Sequence, residues 1–397
     1  MAAINGSGER ESSTAPGDPD PYPNLAWLRR EMPVSSVPAS GGTAPLWFVT
    51  SYEVGRALLT DERLSNTDPA PPEDGTPVAG NLLGIDAPDH TRLRRSLASA
   101  FTPRALAAHQ PAIERICSRA VDAMERAGET DLVPGYTLPV PVAVIHEVLG
   151  IPPRERRPPE VVMDLFMRSD LNGADDPDAV KQTADYVAAL IGYKRHHRGA
   201  DLLSHLLDQL DEGRLRSEEE LHGLVYVLLG AGHTTTVPLL GSAVLRLLTR
   251  PEYREPAVLA DSRALRAVVD ETLRIDSPIQ SSVHRYAVER LEVGGAVIEP
   301  GDRVVISFAG ANRDPARFGE PDAFLPDRSD GGHLGFGHGV HSCIGAQLAR
   351  LEAETALRVL FRRLPYLTLA VPPEDIAWTL GPMLRGPREL PVTFSAS

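Results

Sequence analysis

The sequence predicts a mainly α fold with minor β, and three observations carry that prediction. From about Asp89 onward, apolar residues recur at a spacing of roughly 3.6 in one segment after another. One such segment, Ser217 to Arg250, would run about 50 Å as a single helix. Between residues 285 and 309 the pattern switches to short Val/Ile runs divided by Gly and Pro-Gly, which read as small strands and hairpins.

In chain order, residues 1–20 are polar and rich in Gly, Ser and Pro without periodicity, and read as disordered. A short helix follows around Leu25–Met32, then a strand at Leu46–Thr50 and a helix over Ser51–Asp61 with Ser51 as its N-cap. Residues 64–84 read as loop, because Pro, Asp and Gly cluster at 68–75. Amphipathic helices are expected at Thr91–Phe101, Leu106–Ala127, Pro139–Leu149, Pro158–Arg168, Asp178–Arg195 and Leu202–Leu210. The long segment opens with Ser217-Glu-Glu-Glu220, a capping-box pattern. Helices at Ala264–Arg274 and Ile344–Leu364 flank the strand region and an irregular stretch from Asn312 to Gly339, and the tail from 365 is strand-like.

Composition bounds the function. The chain has 397 residues, 42% of them apolar, enough to bury a large core. Forty basic against 54 acidic residues give a net charge of −14, which argues against nucleic acid as a partner. Two cysteines exclude a disulfide scaffold. No apolar stretch reaches the about 18 residues of a membrane span, and the N-terminus lacks the apolar core of a secretory signal. A cytoplasmic protein that engages no membrane is expected.

The cysteines differ in context. Cys117 sits in a helical segment and reads as a small buried hydrophobe. Cys343 lies in HLGFGHGVHSCIGAQLARLE (His333–Glu352), with Gly335, Gly337 and Gly339 before it and strong helix formers after it. A Gly-rich loop running into a helix N-terminus puts the sulfur where backbone N–H groups and the positive helix end stabilise a thiolate. The glycines permit positive φ or close approach to something large and flat. A thiolate so placed is a nucleophile or a metal ligand; zinc is disfavoured, because no second cysteine is near.

The string FGHGVHSCIG resembles the haem-thiolate loop of the cytochrome P450 family, matching it at Phe336, Gly337, Gly339, His341, Cys343 and Gly345. The resemblance implies that Cys343 is the proximal ligand of haem iron. It also implies that Phe336 packs near the sulfur and that His341 bonds a haem propionate.

Three further segments agree. Glu271 and Arg274, at i and i+3, pair on one helix face; alone they are an ordinary surface pair, but they resemble the family's Glu-x-x-Arg element, completed by Arg328 in FLPDR. ANRDP at 311–315 fits at the same spacing. In AGHTTTVP (Ala231–Pro238), Gly232 costs about 1 kcal/mol relative to Ala, and Pro238 deprives the Thr234 carbonyl of its helical donor, so a kink is predicted. This segment resembles the family's oxygen-binding groove. Ala231 and Gly232 would face the cofactor, and Thr235 aligns with the threonine that assists proton delivery. Thr234 stands where the family usually has an acid, and a hydroxyl is no proton source at neutral pH. Proton delivery would then rely on ordered water, the freed Thr234 carbonyl or a substrate hydroxyl. Lastly, His90 and Arg94 share a helix face; by family position they and Arg285 join His341 as propionate partners.

The resemblance runs from about Pro21 to Phe394 and replaces a length-based expectation of two to three domains with one domain over residues 21–397. It implies haem b lying between a long kinked helix and the Cys-loop helix. The implied function is a monooxygenase that puts one oxygen atom of O2 into a small molecule by hydroxylation or epoxidation, tailoring a polyketide, macrolide or related metabolite in antibiotic biosynthesis. By family position Val227, Leu228, Ile279, Val283, Met383 and Leu384 line the pocket, with the 64–84 loop and the acid-rich stretch Arg168–Asp178. Two cysteines cannot hold an Fe–S cluster, so electrons from NAD(P)H must come through separate proteins, a ferredoxin and its reductase. Arg92, Arg95, Arg104 and Arg350 are candidates for their docking patch, and a monomer is expected. Competing readings are peroxide-driven, multi-step or coupling chemistry, a haem protein that binds ligand without turnover, and a cysteine hydrolase using His341.

Overall fold

The computed structural model describes residues 20–37, 44–69, 82–127, 131–169, 176–380 and 383–394. The chain divides into two compact units. One comprises Met1–Ala70, Asp270–Cys343 and Ala377–Gly386; the other comprises Pro71–Val269, Ile344–Ile376 and Pro387–Ser397. Each draws on three separate stretches, so no single cut of the chain separates them. The expected disordered segment lies outside the described residues except at Asp20.

The first unit holds most of the β structure; a two-stranded antiparallel pair, Thr368–Leu369 with Val392–Thr393, belongs to the second. The main sheet of the first unit contains β1 (Val34–Val37), β2 (Leu46–Val49), β3 (Leu64–Ser65), β4 (Arg285–Ala287) and β7 (Arg303–Ile306), in the order β1-β2-β7-β4-β3. β2 runs parallel to β7, with Trp47 opposite Val304, and the other pairings are antiparallel. Between β4 and β7 lies a hairpin of β5 (Leu291–Val293) and β6 (Ala296–Ile298). Its turn is Gly294-Gly295, at φ +58° and +80°, the two-residue geometry that suits the strands' twist and that glycine adopts without strain. β1 and β3 were not expected; both are short, and only pairing with distant strands defines them.

Val49, Tyr52, Leu58, Ile306, Phe308, Phe318 and Leu334 form the core of this unit. The helix after β2, Tyr52–Leu58, has Ser51 at its N-cap in extended backbone as expected, but the Ser51 side chain makes no cap bond. The Asp314 carboxylate accepts from Tyr52 N instead, at 2.8 Å.

The second unit is helical. Local chemistry sets many helix starts. Thr102, Asp176, Asp201 and Ser217 each accept a backbone N–H of the first turn they cap, and Pro103, Pro139, Pro159 and Pro177 occupy first-turn positions where a missing N–H costs nothing. The expected capping box is half formed. Ser217 Oγ accepts from Glu220 N, but Glu220 Oε2 turns back one residue further, to Arg216 N at 2.8 Å. The segment expected at Thr91–Phe101 is the helix Asp89–Ala98, and a short helix Pro103–Ala107 precedes Gln110–Ala127.

The expected single helix from Ser217 to Arg250 is two helices, Glu218–Thr234 and Thr236–Thr249, broken at Thr235. Pro238 removes one helical donor, and three consecutive hydroxyls bond back four residues: Thr234 to Gly230 O at 3.1 Å, Thr235 to Ala231 O at 2.9 Å and Thr236 to Gly232 O at 3.3 Å. Such back-bonding bends helices and competes with their ladder. The run Glu218–Thr249 has the length and apolarity of a membrane span, yet 83% of its apolar window is buried inside the protein.

Candidate active site

The predicted site residues divide between the units. Cys343, Phe336, Gly337, His341, Arg285, Glu271, Arg274, Arg328, Ile279, Val283, Met383 and Leu384 belong to the first; His90, Arg94, Val227, Leu228, Ala231, Gly232, Thr234, Thr235 and Gly345 belong to the second.

In the first unit the glycine-rich loop is folded on its own backbone. Cys343 N donates to Phe336 O at 2.8 Å, Gly337 N to Leu334 O at 2.8 Å and Ser342 N to Gly339 O at 3.1 Å. Gly337 and Gly339 take φ of +68° and +78°, the left-handed region that other residues avoid. A Cβ on Gly339 would also lie 2.7 Å from Thr60 Cγ2. Cys343 is exposed at the end of this loop, and Gly345 is the N-cap of the helix Ala346–Arg363. Cys117 has the opposite character: it is fully buried, and burial pushes its thiol up to about 12.

Glu271, Arg274 and Arg328 form the expected clamp. Both Glu271 oxygens accept from Arg274, at 2.8 Å each, while Arg328 Nε donates to Oε2 at 2.9 Å and Leu325 N to Oε1 at 2.8 Å. Arg274 is 1% exposed and also donates to the carbonyls of Asn312, Pro321 and Ala323. A buried carboxylate with this many donors is satisfied on every side, and removing one partner would strand a charge. The Phe318 ring lies among the guanidiniums of Arg274, Arg317 and Arg328, at 5.2, 5.2 and 5.8 Å.

The expected pocket segments of this unit also meet. Ile279 pairs with Leu384, Gln280 N donates to Met383 O at 2.8 Å, and Arg385 N donates to Pro278 O at 2.9 Å. Leu384 is buried, and Ile279, Val283 and Met383 are half-buried. Arg285 is buried at the start of β4. Most of the 64–84 loop, and the centre of the 168–178 stretch, lie outside the described residues.

In the second unit His90 is buried and Arg94 half-buried on the helix Asp89–Ala98. Burial, then the Arg94 charge, holds the His90 imidazole below its ordinary range. A carboxylate placed against the pair would lift it and be held by both. Arg92, expected in an open basic patch, is instead neutralised: it pairs with Asp89 at 3.0 Å and donates to Glu220 Oε2 at 2.9 Å. Thr235 and Ala231 are half-buried, whereas Thr234 is 2% exposed with its hydroxyl committed to Gly230 O. Gly232 packs on Ile145, and Val227 and Leu228 are buried on the same helix. His233 points into the core, with Nδ1 bonded to Leu229 O at 2.6 Å.

The family model described as Cytochrome P450 matches residues 178–380. The chain is 40% identical to the cytochrome P450 monooxygenase PikC of Streptomyces venezuelae, over 94% of this chain and 91% of that one. It is 37% identical to the mycinamicin IV hydroxylase/epoxidase of Micromonospora griseorubida, over 92% and 94%. Among solved structures, the cytochrome P450 PksS of the Bacillus subtilis 168 bacillaene polyketide synthase superposes with a TM-score of 0.85 at 34% identity, covering 95% and 97%. The chain belongs to the cytochrome P450 family. It is a mainly helical haem-dependent monooxygenase that uses O2, takes electrons from redox partners and binds small-molecule substrates.

The loop fits the P450 cofactor. Among the described residues no group of three or more His, Cys, Asp or Glu is placed to hold a bare metal ion. What the loop offers is one exposed sulfur on a glycine-shaped backbone. A lone thiolate suits a metal that brings its other ligands with it, as porphyrin iron does. In the sequence Asn312 stands only as part of ANRDP, and nothing local to it signals its full burial against both the clamp and the loop.

Proposed function

We propose that this P450 hydroxylates or epoxidises a polyketide, macrolide or related secondary metabolite in antibiotic biosynthesis. The observation that carries the substrate class is the pair of relatives whose names state a hydroxylase/epoxidase of mycinamicin IV and a bacillaene polyketide synthase. An apolar set of Val227, Leu228, Ile279, Val283, Met383 and Leu384 is in keeping with a bulky aliphatic substrate.

In this reading Cys343 holds the iron, and Phe336, Gly337 and Gly345 shape the loop around it. His90, Arg94, Arg285 and His341 take the two propionates, where charge-assisted bonds are strongest. Bound there, haem supplies the activation of O2 with two electrons and two protons. Glu271, Arg274 and Arg328 hold the loop in register. Thr235 Oγ1, in the open turn, passes a proton, with Ala231 and Gly232 beside it. Thr234 does not share that task, because its hydroxyl is buried, whereas Thr235 is half-buried at the broken turn.

Electrons arrive from a ferredoxin and its reductase. Arg95 and Arg104 are exposed and suit an acidic partner, while Arg92 is withdrawn from that patch by Glu220. The proposed setting is the cytoplasm, as a monomer.

Turnover with a surrogate ferredoxin system over a panel of macrolactones, linear polyketides, terpenes and peptides tests the substrate class. The expected result is a product one oxygen heavier from a macrolactone or polyketide. Product from another class alone overturns it.

A further inference from the structure

We infer that Asn312 is a positioning residue that fixes the start of the Cys343 loop to the Glu271–Arg274–Arg328 clamp. Asn312 is fully buried in the first unit, and each of its polar groups is used. Its backbone carbonyl accepts from Arg274 Nη1 at 2.9 Å. Its Oδ1 accepts from Leu334 N at 2.6 Å, where the loop begins, and its Nδ2 donates to Ser277 Oγ at 2.8 Å.

Chemistry fixes the direction of the amide. Leu334 N–H can only donate, so Oδ1 must face it. Ser277 gives its own proton to Leu273 O at 2.7 Å, so its oxygen is left to accept from Nδ2. The same carbonyl sets the loop's distance, since a Cβ on Gly335 would lie 2.9 Å from Leu273 O. The end of the clamp helix, Asn312 and residues 334–335 therefore form one buried hydrogen-bonded joint. Without the Asn312 side chain the Leu334 amide would be stranded, a buried donor with nothing to replace it.

This inference rests on the reading that Cys343 binds haem iron, and the test separates the two. Haem-loaded Asn312→Ala, Asn312→Asp, Ser277→Ala and Cys343→Ser are compared by the thiolate signature of the CO-reduced protein. Amide hydrogen exchange at Leu334 is read in the same haem-loaded chains. Asn312→Ala is expected to raise the fraction of haem lacking the signature about tenfold or more, and to speed Leu334 exchange by a similar factor. Asn312→Asp keeps an acceptor for Leu334 but puts a second acceptor against Ser277, which must turn its proton from Leu273 O, so it restores both in part, and Ser277→Ala has the smaller effect. A folded Asn312→Ala with wild-type signature and exchange overturns the inference, as does an Asn312→Asp no better than Asn312→Ala. If Asn312→Ala does not fold, Asn312→Ser, whose hydroxyl is too short to reach Leu334, is held to the same outcomes. A signature that survives in Cys343→Ser overturns the ligand reading alone, and Leu334 exchange still judges Asn312.

Discussion

A Cβ built on Gly232 would lie 2.7 Å from Cδ1 and 2.8 Å from Cγ1 of Ile145. The helices Pro139–Val148 and Glu218–Thr234 thus pack at a point where only glycine fits. Their close approach offsets the roughly 1 kcal/mol that glycine costs in a helix interior. Gly232→Ala is expected to lower stability by about 1–3 kcal/mol despite its better helix propensity. Ile145→Ala, itself costing about 2–5 kcal/mol, clears the space, so the double variant should lose less than the sum of the singles. Denaturant unfolding of the four chains measures this, and simple additivity would show that the contact is not the cause.

His146 and His233 set a limit at low pH. Burial holds each imidazole at about 4, with Arg156 and His233 adding to the effect on His146. His146 bridges Val142 O and Tyr186, while His233 Nε2 is buried without a hydrogen-bond partner. Both are neutral when folded, and the unfolded chain takes up protons below about 6.5. Stability should therefore be flat above that pH and fall as pH drops towards 4, by up to about 3 kcal/mol per histidine. His233→Leu should flatten the fall by about half. Urea midpoints across pH 4 to 8 in both proteins provide the check, and identical slopes would remove His233 from the account.

Chemistry confined to a few neighbouring residues was legible in the sequence, and contact between distant ones was not. The loop around Cys343, the pairing of Glu271 with Arg274 and the disturbance before Pro238 all follow from local residues. The depth of that disturbance did not, because three back-bonding hydroxyls act together to break the helix at Thr235. Arg92 read as an open basic residue, because its partner Glu220 lies 128 positions away. β1 and β3 have no pattern of their own beyond what β2 and β4 impose on them.

The two cysteines should differ sharply in reactivity. Cys343 is exposed, Cys117 is fully buried with its thiol held near 12, and neither is in a disulfide. Thiolate, not thiol, attacks an alkylating reagent. In the haem-free chain a maleimide should therefore modify Cys343 at least about a hundredfold faster than Cys117. Loading haem should protect Cys343 if it is the ligand. Peptide mass spectrometry reads both sites, and unchanged Cys343 labelling after loading would contradict the ligand assignment.

The Arg92–Glu220 pair should contribute modestly and in a salt-dependent way. Its side chains are 23% and 20% exposed, so water still screens them, but the contact is bidentate and Asp89 extends it. A double-mutant cycle with Arg92→Ala and Glu220→Gln is expected to give a coupling of about 1 kcal/mol, shrinking at high salt. Glu220→Gln preserves an acceptor for Arg216 N, so the cycle isolates the charge pair from the helix cap. A coupling near zero at low salt would mean that the pair is incidental.

Thr234 and Thr235 are adjacent hydroxyls in different settings, and substitution should separate them. Thr234 is 2% exposed and donates to Gly230 O, whereas Thr235 is half-buried at the broken turn and donates to Ala231 O. Thr234→Val keeps the shape and removes one buried bond, so it should cost about 1 kcal/mol of stability and leave product per electron pair unchanged. Thr235→Ala should leave stability nearly intact and lower that ratio about tenfold or more, the scale of a lost proton-transfer group. Product formed against NAD(P)H consumed measures both. Should Thr234→Val prove to be the uncoupled variant, its hydroxyl must leave Gly230 O during turnover, and the division of labour drawn from this geometry is reversed.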